Sequence, residues 1–380
     1  MPRPVDRGEA RGLGALSVFV VISVALLFAF APNRRQADRS AVLPLSASLP
    51  DKVPPGTTLV VGDPVTQWVF QHNGWDKQLP FTIKWAQITG GPEVTEAFHA
   101  KALDVGLGAN VPPIHAVWVG LPVKIIAFRE RRDPFEHPSY VLGVAPRGAV
   151  NSLADLKGKR IAFSPSQIQS QIVLQTLRFA GLKTGDVKLI ELPSSIGGDV
   201  YTTSLASNVV DVAPLGNGIV AERYLRKFAS DGARTLPHPA FRDDAIVAYT
   251  PVEVLQNPAK AAALKIFVRY WGMAQAWEQA HPDELAQGYY VERQGLKLAD
   301  ARLILKAAGD IVIPRNWTGA VAYQQTAIDL MAPQMGHPRF DAATLFDPRF
   351  ERLAGDAAGA ELAARSPHRA SPPTGKVSRS

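Results

Sequence analysis

Apolar and polar positions along this chain fall into short runs that switch between the period of a strand and the period of a helix. Residues 58–61 form a short apolar run closed by Gly62-Asp63-Pro64, and a helix containing Trp68 and Phe70 follows. Residues 81–88 (FTIKWAQI) alternate with period two, placing Phe81, Ile83 and Trp85 on one face of a strand. Thr89-Gly90-Gly91-Pro92 then opens a helix over residues 93–102. Pro92 suits a first helical turn, where its missing N–H costs nothing, and the two glycines let a backbone approach a ligand closely. Residues 104–108 (DVGLG) read as a strand, Ala109-Asn110-Val111-Pro112-Pro113 opens a helix over 114–119, and 123–128 (VKIIAF) is a buried strand.

A second unit of the same kind occupies residues 150–182. A polar lead-in, Asp155-Leu156-Lys157-Gly158, precedes the strand Arg160–Phe163, and a Ser/Gln-rich turn leads to a helix over 168–180 that Gly181 closes. The first N–H groups of a helix lack internal partners and carry partial positive charge, so this turn is prepared for an anion or a polar head group. Ser164, Ser166, Ser170, Gln167 and Gln171 add hydrogen-bonding groups there. Taken alone it is an ordinary serine-capped connection. Two such units make the crevice outside the strands' carboxyl ends the expected ligand site. Residues 140–145 and 245–250 read as apolar strands that would cross between two α/β lobes and back, making a hinge on which a cleft closes. Helix 258–280, with Ala262, Ile266, Tyr270 and Met273 near helical spacing, packs on the first lobe.

The 380 residues contain no cysteine, which excludes disulfides, cysteine nucleophiles, thiolate metal sites and a lipid-anchored cysteine. Residues 13–31 are uncharged and about long enough to span a bilayer, and Arg3, Arg7 and Arg11 precede them. This reads as an export signal, and as an uncleaved anchor rather than a cleaved peptide, because Pro32 follows the small residues at 29–31. Residues 32–56 read as a linker and 354–380 as a disordered tail. The net charge of +7 sits mostly in the tails, with +3 in residues 1–50 and +2 in 354–380. No nucleic-acid partner is expected.

Catalytic chemistry is not visible. There is no Walker loop, G-x-S-x-G elbow or H-E-x-x-H motif. The eight histidines are scattered, so no catalytic residue, metal ligand or cofactor is assigned. Asp104 and Asp211 occupy equivalent places, LDVG and VDVA. Arg129 and Arg223 could hold an anion bidentately, but solvated surface arginines are the simpler reading.

Four stretches, 88–128, 152–182, 209–225 and 281–287, together resemble the substrate-binding proteins of the aliphatic sulfonate, taurine and nitrate type of ABC importers, over residues 57–353. The resemblance implies an α/β, two-lobed periplasmic-binding-protein-like fold (type II). Lobe 1 would comprise 57–142 and 246–353, and lobe 2 143–245. It implies an extracytoplasmic protein, held at the membrane by its N-terminal segment, that captures a small solute and delivers it to a permease and its ATPase. The residues it places at the ligand are Gln67, Thr89, Gly90, Gly91, Asn110, Ser164, Ser166, Gln167, Ser170 and Asn217. Two departures stand out: Ser166-Gln167 replaces a common glycine-serine pair, and Gly216-Asn217-Gly218 replaces a Trp-Asp-Pro stretch. An enzyme on the same fold, such as a thiamine-pyrimidine synthase, and a membrane-anchored ligand sensor are the alternatives.

Overall fold

The computed structural model describes residues 42–365, apart from Thr89, residues 194–198 and His238. In chain order the first lobe begins with β1 (Thr58–Gly62), α1 (Pro64–His72), β2 (Thr82–Trp85), α2 (Gly91–His99), β3 (Val105–Ala109), α3 (Val111–Trp118) and β4 (Val123–Arg131). The chain then crosses into β5 (Tyr140–Val144), β6 (Arg160–Phe163), α4 (Ile168–Phe179), β7 (Lys188–Glu191), α5 (Asp199–Ala206), β8 (Val212–Gly216), α6 (Ile219–Phe228) and β9 (Arg234–Leu236). It returns through β10 (Ile246–Pro251), α7 (Val252–Leu255), α8 (Pro258–Ala280), α9 (Pro282–Leu285), a π-helix (Ala286–Arg293) and α10 (Leu298–Ala308). The last elements are β11 (Ile311–Val312), α11 (Thr318–Gln334) and α12 (Leu353–Arg365).

Two sheets result, ordered β11-β4-β10-β3-β1-β2 and β7-β6-β8-β5-β9. Apart from β11, they share one plan. A first strand pairs in parallel with the next two, and an antiparallel strand from the crossing lies between the third and fourth. The fold is the two-lobed α/β architecture expected from the sequence. Local chemistry sets the helix starts. Asp63 and Asn257 accept from the backbone of Thr66 and Lys260, and Pro64, Pro92 and Pro258 occupy first turns. In β4, Ile125–Phe128 are buried on both faces, the mark of a strand covered on both sides.

The equivalent acids do equivalent work. Asp104 Oδ2 accepts from Val60 N at 2.9 Å in β1, and Asp211 Oδ2 accepts from Arg160 N at 2.8 Å in β6. Each carboxylate ties the start of one central strand to its neighbour. Lys260 Nζ adds 2.6 Å to Asp104, and the Arg160 guanidinium adds 2.7 Å to Asp211.

The structure corrects two compositional readings. The tail from residue 354 is not disordered at its start: α12 lies along α8 with Ala354 and Ala358 buried. A Cβ on Gly272 would meet Ala354 O at 2.2 Å, so the two helices approach backbone to backbone. Small residues that look like low-complexity tail are what permit that contact. Likewise, the end of the supposed linker packs on the first lobe. Leu49 is buried, Leu43 N donates to Gln256 O at 2.8 Å, and Arg349 donates to Ala47 O at 3.0 Å.

The crossings are cross-linked. Asp243 accepts from the N–H of Ser139 and Tyr140 at 2.8 and 2.9 Å, and Asp244 accepts from Arg131 N at 2.7 Å. The C-terminal segment also reaches the second lobe. Met331 of α11 lies in the core beneath α4, and Asp300 of α10 pairs with Arg223 of α6 at 3.0 Å.

Candidate ligand-binding site

The turns singled out in the sequence press on one another across the lobes. A Cβ on Gly91 would lie 2.8 Å from Pro112 Cγ and 2.9 Å from Ser166 O, so only glycine fits where α2 of lobe 1 meets the turn before α4 of lobe 2. Asn110 is fully buried. Its Nδ2 donates to Gln171 Oε1 at 2.8 Å, and its carbonyl accepts from Gln324 Nε2 at 2.7 Å. Gln171 Nε2 donates to the Tyr323 hydroxyl at 3.3 Å, and that hydroxyl donates to Arg242 O at 3.0 Å. Lobe 1, lobe 2 and α11 are thus stitched together at the place expected to hold ligand.

The remaining candidates divide. Ser164, Gln167 and Ser170 are buried in the same turn, and Ser170 Oγ donates to Gln167 O at 2.7 Å, bracing the turn itself. Gly90 begins α2 as its cap. Gln67 lies elsewhere in its bonding, accepting from Gln87 and Arg293 at 3.0 Å each. Asn217 ties β8 to the first crossing, its N donating to Ser139 O at 2.8 Å and its Nδ2 to Pro138 O at 2.9 Å. Thr89 lies outside the described residues.

Open space lies nearer the hinge. A cavity of about 240 Å³ is lined by Ala109, Arg129, Tyr140, Gly216, Asp243 and Ile246, among others. Ala109 and Gly216 directly precede Asn110 and Asn217, so the cavity sits at the carboxyl ends of β3 and β8. A second cavity of about 410 Å³ adjoins it, sharing Arg129, Ala308 and Ile311, and adds Glu278, His137 and Lys306.

Arg129, near the end of β4, is half-buried, and its Nε is buried with no hydrogen-bond partner. Asp63, capping α1, uses Oδ1 on Thr66 N at 3.1 Å, while its Oδ2 is buried without a partner. Burial pushes the Asp63 carboxyl up, against the pull of Thr66 and Arg129. Glu278, in the last turn of α8, accepts from Gln275 at 3.0 Å. Burial pushes its carboxyl up to about 7; the Asp63 charge adds to this and Arg129 opposes it. Burial also raises the phenols of Tyr289 and Tyr290, which face Glu278 and Asp63. A cation and an acid, Arg129 and Glu278, therefore line one cavity, with the buried Asp63 carboxyl behind them, near enough for its charge to act on Glu278 and for Arg129 to act on it. Unpaired donors in a low-dielectric site hold an oxyanion strongly.

Sequence reading ranked Arg129 as a surface arginine, and the structure places it at the cavity. Asp63 carried a signal, an acid between a strand and Pro64, that read only as a turn. Glu278 carried none, because it is one polar residue in a long regular helix. Arg223, the other candidate arginine, spends its charge on Asp300. Among the described residues no group of three or more His, Asp or Glu side chains is placed to hold a metal ion, and no helix is long and apolar enough to cross a membrane. The candidate membrane segment, 13–31, lies outside them.

Comparison with known proteins gives the following. The NMT1/THI5-like family model matches residues 71–285. The "Putative aliphatic sulfonates-binding protein" of Escherichia coli (strain K12) is 30% identical over 118 residues, which is 31% of this chain and 36% of that protein. The alkanesulfonate-binding protein SsuA from Xanthomonas axonopodis pv. citri, solved bound to MOPS, superposes with a TM-score of 0.63 at 19% identity, covering 79% of this chain and 99% of that one. The desulfurization enzyme DSZB superposes with a TM-score of 0.52 at 16% identity, covering 81% and 99%. These structural likenesses establish the fold. With more than half of its length matched by the family model, the chain belongs to the NMT1/THI5-like family.

Proposed function

We propose that this protein is the extracytoplasmic solute-binding component of an ABC importer, and that its solute is a small organic molecule bearing a sulfonate-like oxyanion. Family membership and the Escherichia coli relative's name support the transport role. The observation that carries the oxyanion is Arg129, a half-buried cation whose Nε has no partner, at the strand ends beside the hinge cavity. A guanidinium offers two parallel N–H groups to such an oxyanion.

Capture follows from the architecture. The open lobes admit the solute, Arg129 binds its oxyanion, and the crossings close the cleft until Gly91 meets Ser166 and Asn110 meets Gln171. The closed form then docks on a permease served by an ATPase. The N-terminal segment would hold the protein at the outer face of the membrane.

The test is a thermal-shift screen of the full-length protein with taurine, longer alkanesulfonates, nitrate, sulfate and thiamine-precursor pyrimidines, followed by calorimetry and a turnover assay. A binder at about a hundred times its Kd should stabilise the protein by roughly 2.7 kcal/mol. A sulfonate shift without turnover supports the reading. A shift confined to pyrimidines, or consumption of the ligand, refutes it.

A further inference from the structure

Arg129 does not face the cavity alone. From α8 comes Glu278, which lines the same cavity as Arg129, and behind them, outside the cavity lining, Asp63 of α1 keeps a buried oxygen that bonds to nothing and acts electrostatically on Glu278. The three side chains approach from three elements. Arg129's buried Nε–H and Asp63's buried Oδ2 are both left unbonded. With both acids ionised the trio carries a net negative charge and repels a bare anion. With one acid protonated the trio is neutral.

We infer that Glu278 is the specificity-determining residue of this site: ionised, it requires a solute that carries an amine or other donor beside its oxyanion, and protonated, it admits a bare oxyanion at Arg129. This rests on the solute-binding reading above. The groups facing Glu278 are Gln275 on its own helix, Asp63, Arg129, and Tyr289 and Tyr290 from the π-helix. Around the same cavity stand Asp133, His137, Lys306 and Asp310. Asp63 is the more enclosed acid and is anchored on the α1 backbone, whereas Glu278 is half-buried and borders the open cavity. Glu278 is therefore the acid positioned to exchange a proton with solvent as the solute enters. Burial places that exchange at about pH 7.

The binding step balances simply. A bare sulfonate entering above that pH brings one negative charge, and Glu278 takes one proton from solvent, so the occupied site keeps its net charge. An aminosulfonate brings its own ammonium to Glu278 and takes up no proton.

Calorimetry with ethanesulfonate and 2-aminoethanesulfonate from pH 5.5 to 8.5 tests this on the full-length protein and on Glu278→Gln. For ethanesulfonate and the unaltered protein, affinity should fall on the order of tenfold per pH unit above about 7. For Glu278→Gln it should be flat. For 2-aminoethanesulfonate the unaltered protein should hold its affinity to pH 8.5, and Glu278→Gln should weaken it roughly tenfold. Should Glu278→Gln fold poorly, proton uptake counted on the unaltered protein in two buffers of different ionisation enthalpy decides. It should approach one proton for ethanesulfonate at pH 8 and none for the amine. Binding with the same pH profile in both proteins, or equal proton uptake for both ligands, overturns the inference and leaves the solute-binding reading intact. Binding of neither sulfonate at any pH overturns both.

Discussion

The two lobes follow one strand order, but the turns ending their first strands differ in chemistry. After β1 the chain reads Gly62-Asp63-Pro64, and its charged cap lies close enough to Arg129 and Glu278 to be coupled to them electrostatically. After β6 it reads Ser164-Pro165-Ser166-Gln167, neutral throughout. Shared topology fixes where each turn sits, at the carboxyl end of a first strand. It leaves the side chains free to diverge. On the proposed reading, lobe 1 would carry the charge that selects a solute, and lobe 2 would supply a neutral, close-fitting cover. The matching acids at Asp104 and Asp211 show the converse: where both lobes need a strand pinned, both keep the same carboxylate on the same backbone position.

The largest test of this division is Arg129→Gln. Losing a charge-assisted pair costs about 3 kcal/mol, roughly a hundredfold in affinity for a sulfonate ligand, measured by calorimetry. Ser166→Ala on the neutral wall should change affinity less than about tenfold. Equal losses from the two would erase the distinction between the walls.

Next comes the acid pair. Asp104 is buried and satisfies both Val60 N and Lys260, so Asp104→Asn should destabilise by about 3 kcal/mol in denaturant unfolding. Asp211 is more open, and Asp211→Asn should cost about 1 kcal/mol. Burial raises the Asp211 carboxyl, but its bonds to Arg160 outweigh that and hold it below the ordinary carboxylate value. The folded form therefore releases this proton more readily than the unfolded chain does. The stabilisation is full above the unfolded value, about 4, and is lost as pH falls through the lower folded value. Acid titration of unfolding should show this loss in the unaltered protein and not in Asp211→Asn.

A smaller effect, about 1.4 kcal/mol, is expected from Gly91→Ala. The added methyl would lie 2.9 Å from Ser166 O, so the closed form should be disfavoured and ligand affinity reduced about tenfold. Small-angle scattering with ligand should report a less compact protein than the parent.

Glu278 gives the finest contrast, because its raised carboxyl works against folding at high pH. Stability should decline as pH rises from about 4.5 through about 7, and Glu278→Gln should remove that decline. A parallel pH profile for the two proteins would place Glu278 in solvent.

Much of the scaffold was readable from local pattern. Arg160–Phe163 and Pro258–Ala280 coincide with the strand and helix expected, because a short apolar run after a polar lead-in and a proline start are local signals. The charged cluster was not readable, since Asp63, Arg129 and Glu278 come near one another only when α1, β4 and α8 pack together. The docking of α12 was hidden for another reason. Alanine and glycine look like tail composition, yet they are what lets that helix approach Gly272. The proline turns were visible, but not that Gly91 and Ser166 would touch each other instead of enclosing space.

The most direct measurement is a crystal structure of the full-length protein with a bound alkanesulfonate. The account predicts the sulfonate oxygens within hydrogen-bonding distance of the Arg129 guanidinium, at the hinge-side cavity, with Ser166 still against Gly91. A sulfonate seated between the Gly90-Gly91 turn and the Ser164–Ser170 turn, with Arg129 untouched, would contradict it.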